Sequence, residues 1–155
     1  MLSADDYYRG MEAPRILVVE DNPTMQKVVT LFAARKGIYT VAVGSCREAI
    51  DQIRNGSAFG LIFMDWSLPD RSGLECTSLI REFHEAHHGV RVPIVAMTAN
   101  LMAGDRERCL AAGMDDFLGK PFGMSEFYQK IEKWMRVPGT VIPFHEDSGP
   151  QAEAR

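Results

Sequence analysis

The chain has 155 residues, apolar and charged fractions of 46% and 25%, and a formal net charge of -4. That length predicts one soluble domain with a substantial core. The acidic balance, with no basic stripe to offset it, argues against general affinity for nucleic acid, and no apolar stretch approaches membrane-spanning length. The opening MLSADDYYRG has neither the basic start nor the apolar segment of a secretory signal, so the expected location is the cytoplasm. Cys46, Cys76 and Cys109 are odd in number and lack C-x-x-C spacing, which predicts buried thiols rather than a disulfide framework or a zinc site.

Residues 1–13 are polar, carry no sustained period and end at Pro14; they read as a flexible arm. RILVVE (15–20) is an apolar, β-branched run that stops on Glu20 and Asp21, as a strand would. A helix follows. Asn22 suits its N-cap and Pro23 its first position, while Met25, Val28, Val29 and Phe32 mark one buried face up to Gly37. IYTVAV (38–43) predicts the second strand. SCRE (45–48) has the capping-box pattern in which Ser45 and Glu48 reciprocally satisfy a helix's first amides, and Ala49, Ile50 and Ile53 supply the apolar stripe.

LIFMDWSLPD (61–70) is an uninterrupted apolar run that ends on Asp65, four residues before Pro69. Lack of alternation suits a parallel strand covered on both faces. A second capping box, SGLE (72–75), opens a helix that packs Leu79, Ile80 and Phe83. VPIVAMT (92–98) predicts the fourth strand, Leu101–Ala112 a helix whose start Gly104 weakens, and MDDFL (114–118) a short fifth strand. Phe127, Ile131 and Trp134 define a last amphipathic helix. Beyond Met135 the chain is rich in Pro, Gly and charge, so 14–136 is expected to be the folded domain and 137–155 a disordered tail. The alternation of strand and helix predicts an α/β, doubly wound parallel sheet with helices on both faces.

In such a sheet the carboxyl ends of the strands carry Glu20 and Asp21, Asp65, Thr98 and Lys120. Three converging carboxylates repel, and a divalent, oxygen-seeking cation relieves that repulsion. Mg2+ takes one or two carboxylates, several waters and a phosphoryl group, and Lys120 adds an ammonium beside them. Together these residues predict a phosphoryl-transfer site. Asp65 would attack a phosphoryl donor to give an aspartyl phosphate, while the metal, Lys120 and the Thr98 hydroxyl hold the transferring group's oxygens. Ala99 leaves room for entry. Each residue also has a plainer reading: Glu20 and Asp21 as helix caps, Asp65 as a turn residue before Pro69, Thr98 bonded to a carbonyl, Lys120 as a solvated charge. Their joint placement favours the site. His84, His87 and His88 have helical metal-ligand spacing, but without a partner carboxylate motif they are expected at a wet helix end.

The order ED (20–21), D-x-x-x-P (65–69) with Gly73 beyond, MTAN (97–100) and DDFLGKP (115–121) resembles the receiver domains of two-component response regulators, over about residues 15–136. VPIVAMTANLMAGDRERCLAAGMDDFLGKPF is especially similar to receivers attached to hybrid histidine kinases. The resemblance implies a flavodoxin-like receiver fold with five strands in the order 2-1-3-4-5. It implies Asp65 as phosphoacceptor, Mg2+ bound directly by Asp21 and Asp65, through water by Glu20, and by the Ser67 backbone carbonyl. Thr98 and Phe117 match the family's switch pair, which reshapes the surface of the fourth helix, fifth strand and fifth helix. Lys120-Pro121 matches a bond usually cis in these proteins. Leu68 replaces a frequent methionine, Phe117 lacks a phenol, and Ser67 and Asn100, neither bulky nor charged, imply an intermediate phosphoryl lifetime.

The expected function is therefore a phosphoacceptor switch. It is fed by a histidine kinase or a histidine phosphotransfer protein, with output through a downstream protein rather than DNA because the tail is short and polar. The Met1 arm suggests a free-standing chain; a receiver excised from a hybrid kinase and a pseudo-receiver binding module are the alternatives. A haloacid-type phosphatase would want a second acid two residues after Asp65, where Ser67 stands.

Overall fold

The computed structural model describes residues 14–87, 91–99 and 101–135. The N-terminal arm, the tail beyond Met135, Asn100, His88 and the His87 side chain lie outside these residues. Runs of Ile, Leu, Val, Phe and Met with no polar alternation form strands buried on both faces. These are β1 (Arg15–Val19), β3 (Leu61–Asp65) and β4 (Ile94–Thr98), flanked by the more exposed β2 (Tyr39–Val43) and β5 (Asp116–Gly119). All pair in parallel in the order β2-β1-β3-β4-β5. Five helices alternate with them: α1 (Pro23–Ala34), α2 (Cys46–Arg54), α3 (Gly73–His87), α4 (Asp105–Ala112) and α5 (Met124–Trp134).

Successive strand residues point to opposite faces, so each strand feeds two cores. Leu17, Ile62 and Met64 pack with Cys46, Ile53, Cys76, Ile80 and Cys109, under α2, α3 and α4. Ile16, Val18 and Phe63 pack with Val29, Ala33, Phe127 and Ile131, under α1 and α5. Phe127 centres the second core, 4.9 Å from the Phe63 ring and 5.8 Å from Phe32. The three cysteines are buried free thiols, as their spacing predicts, and those of Cys46 and Cys76 share a hydrogen bond.

Helix ends follow their cap chemistry with three departures from expectation. Asn22 accepts from the amides of Thr24 and Met25, with Pro23 at the first helical position. Ser45 takes only the Glu48 amide, at 3.2 Å, and donates to the Glu48 carboxylate; the amides of Cys46 and Arg47 go instead to Asp70, each at 3.0 Å. Asp70 thus binds the loop after β3 to the start of α2. Helix α4 begins at Asp105, not Leu101, because Gly104 is left-handed at φ 88° and offers no side chain to cap. His84 is 3% exposed, on the inner face of α3 rather than at a wet end. β1 and β3 start where their apolar runs do, whereas β2, β4 and β5 start one or two residues later than expected; Val92 and Pro93 are buried but precede the β4 ladder.

Candidate functional site

Register brings the polar strand ends together. Val19 pairs with Met64, Asp65 with Met97, and Thr98 with Gly119, so β1, β3, β4 and β5 end at one level along the sheet's carboxyl edge. Glu20 and Asp21 follow β1, Asp65 and Thr98 are the last residues of β3 and β4, and Lys120 follows β5. All five line a cleft of about 480 Å³, completed by Asn22, Trp66, Ser67 and Ala99. The strand register sets these groups along one edge of the sheet, and the cleft between them stays open to solvent.

Carboxylate oxygens of Glu20, Asp21 and Asp65 lie within 4.8 Å of one another. Glu20 and Asp65 are 1% and 7% exposed, whereas Asp21 faces solvent. The Lys120 ammonium bridges two of them, 2.5 Å from Glu20 Oε1 and 3.3 Å from Asp65 Oδ1. Burial works against the charged form of Lys120, but the bond to Glu20 and the charge of Asp65 outweigh it and hold the ammonium's pKa above its ordinary value. The second oxygen of Glu20 accepts from the Asn22 amide at 3.1 Å, and its carbonyl from Gln26 Nε2 at 2.6 Å, which fixes the corner after β1. The Lys120-Pro121 bond is cis.

Three carboxylates against one ammonium leave the cleft with two excess negative charges. The donors are hard oxygens only, with no thiol or imidazole among them, and that set suits Mg2+ rather than zinc or copper. Asp65 and Thr98 line this cleft from the last residues of β3 and β4, and Lys120 from the residue after β5. Phe117 lies on β5 opposite Ala96, half-buried.

Gly73 makes this geometry possible in a way its quoted position did not reveal. A Cβ there would fall 2.1 Å from the Asp65 carbonyl oxygen, and the Gly73 amide donates to the Trp66 carbonyl at 2.7 Å. The loop from Asp65 to Ser72 therefore closes tightly on the strand end, aided by the Ser67–Ser72 bridge. Sequence reasoning also passed over Arg106 and Arg108, which look like ordinary surface charges in DRERC. In the fold the Arg106 guanidinium carbon stands 5.4 Å from the Phe117 ring centroid and that of Arg108 5.6 Å from Trp66.

Residues 16–132 match the family model described as response regulator receiver domain. The chain is 35% identical over 122 residues to the sensor histidine kinase GacS of Pseudomonas protegens, covering 79% of this chain and 13% of that one. It thus spans about an eighth of the length of that curated relative. A receiver domain of a Pseudomonas aeruginosa sensor histidine kinase, solved with magnesium coordinated in its active-site cleft, is similar with a TM-score of 0.68 and 37% identity, covering 79% of this chain and 97% of that one. The receiver domain of the Saccharomyces cerevisiae response regulator Ssk1, solved with the histidine phosphotransfer protein Ypd1, is similar with a TM-score of 0.71 and 32% identity, covering 79% and 89%.

Proposed function

Since the chain belongs to the response regulator receiver domain family of two-component and phosphorelay systems, we propose that Asp65 is its phosphoacceptor and that its partners are a histidine kinase or a histidine phosphotransfer protein. The observation that carries this reading is the Lys120 ammonium bonded to both Glu20 and Asp65 beside three clustered carboxylates. Asp21, Asp65, the Ser67 carbonyl and, through water, Glu20 would hold Mg2+, which supplies charge compensation for a transferring phosphoryl group. An Asp65 carboxylate oxygen attacks phosphorus as the bond from phosphorus to the donor's imidazole nitrogen breaks, and the imidazole leaves with that electron pair. Lys120 and the Thr98 hydroxyl orient two of the phosphoryl oxygens. Water attacking the same phosphorus later returns Asp65 to its free carboxylate, so the chain's own chemistry is limited to gaining and losing this group.

Thr98 and Phe117 are the proposed switch pair, with output through the face formed by α4, β5 and α5. Similarity to a sensor histidine kinase and to a receiver solved with a phosphotransfer protein supports both partner classes, without fixing the direction of phosphate flow. Among the described residues no helix is long and apolar enough to cross a membrane. Incubation with acetyl phosphate and Mg2+, read by intact-protein mass, tests the reading. The expected result is a gain of one phosphoryl group that requires Mg2+ and is lost in Asp65→Asn; an unmodified, folded wild-type chain would make the pseudo-receiver alternative the better account.

A further inference from the structure

Helix α4 has eight residues, and its N-terminal neighbour Gly104 contributes no capping side chain. It nevertheless reaches two aromatic rings, of which Trp66 lines the cleft. Arg106 covers Phe117 on β5, and Arg108 covers Trp66, the residue after Asp65 and a wall of the cleft. Positions two apart point to roughly opposite sides of a helix, so the two arginines reach from different sides of α4, one to β5 and the other to the residue after β3. Arg108 is itself aimed: its guanidinium lies 3.3 Å from Asp105 Oδ1, and Asp105 Oδ2 accepts from the Met102 amide at 2.7 Å. The Trp66 backbone is pinned on both sides, its amide on the Met97 carbonyl at 2.9 Å and its carbonyl on the Gly73 amide. Only the ring is left to respond to a change at Asp65.

We propose that Arg106 and Arg108 are positioning residues: through Phe117 and Trp66 they hold α4 against β5 and the loop after β3, and so weaken the chain's response to phosphorylation. This rests on the proposed function of Asp65. A phosphoryl group on Asp65 that draws Thr98 and the Phe117 ring toward it takes the ring face away from Arg106, and displacement of the Trp66 ring beside Asp65 takes its face away from Arg108. A contact made in one state and lost in the other shifts the equilibrium by its own strength. An exposed cation–π contact corresponds to a factor of about two to five.

The test is calorimetric titration of the full chain with beryllofluoride at saturating Mg2+, and separately with Mg2+ alone. Arg106→Gln and Arg108→Gln should each bind beryllofluoride about two to five times more tightly than wild type. The double variant should multiply the two effects, and the Lys variants should stay near wild type because they keep the cation. Mg2+ affinity without beryllofluoride should not change. Arg108→Gln, but not Arg106→Gln, should also alter Trp66 emission against the Trp134 background. Unchanged or weaker beryllofluoride binding in both Gln variants, with wild type binding normally, overturns the inference and leaves the proposed function standing. Parallel losses for Mg2+ and beryllofluoride also overturn it, since the arginines would then be shaping the metal site. A wild-type chain that ignores beryllofluoride overturns the proposed function and the inference together.

Discussion

The Lys120 ammonium sits where a buried carboxylate most needs it. Glu20 is 1% exposed, and the Lys120 Nζ lies 2.5 Å from its Oε1. Lys120→Ala leaves that charge buried beside Asp65, and stability at neutral pH should fall by about 3 kcal/mol in urea denaturation. Mg2+ should raise the melting temperature of this variant more than that of wild type, because an added cation replaces the lost one; an equal rise in both would show that the metal does not sense Glu20. Gly73→Ala acts on the same loop by volume alone. Its Cβ would press 2.1 Å from the Asp65 carbonyl oxygen, a backbone atom that cannot swing aside. Urea unfolding should show a loss of at least about 2 kcal/mol. The two residues differ in how readable they were. Lys120 could be found from its place after an apolar run, together with Glu20, Asp21, Asp65 and Thr98. Gly73 was visible only as a spacing, since its role depends on how closely the chain folds back on itself.

At the element scale, β5 and α5 are joined by one carboxylate. Asp116 accepts from Lys130 Nζ and Trp134 Nε1, both at 2.9 Å, with Lys133 3.8 Å away. Burial raises its pKa, but the bonds from Lys130 and Trp134 outweigh that and hold the carboxyl below the usual range. A depressed native pKa gives stability that is complete above the unfolded value of about 4 and is lost as pH falls through the native value. Asp116→Asn should therefore lower the stability read from urea denaturation at neutral pH by about 1–3 kcal/mol, and flatten the acid limb of the stability curve. A parallel acid limb in the variant would assign that loss to other carboxylates. Patterning showed the strand and the amphipathic helix but not this tie, because Asp116 in MDDFL looks like a strand-edge charge. The same limit explains α2: Ser45 was legible as its cap, while Asp70 reaches it from 23 residues beyond Arg47.

Across the whole molecule, one sheet separates two cores, and Phe127 is the centre of the one under α1 and α5. Phe127→Ala removes a fully buried ring stacked on Phe63 and Phe122 and should cost about 3–5 kcal/mol in urea denaturation. The doubly wound class was legible from the alternation of strand and helix, and buried β1, β3 and β4 from their unbroken apolar runs. Which helices share a face was not, because that follows from strand order and crossover, which periodicity does not encode. Helix α4 is the shortest of the five and lies between Gly104 and Gly113, both left-handed. Seen as a set of local opening reactions, the domain has a slow part and a fast one. Backbone amides of β3 and β4 should exchange with deuterium only through global unfolding, while those of 105–112 exchange through opening of one short helix. The groups of the cleft then persist through many openings of α4, so the helix can sample its alternatives on a shorter timescale than the site it adjoins.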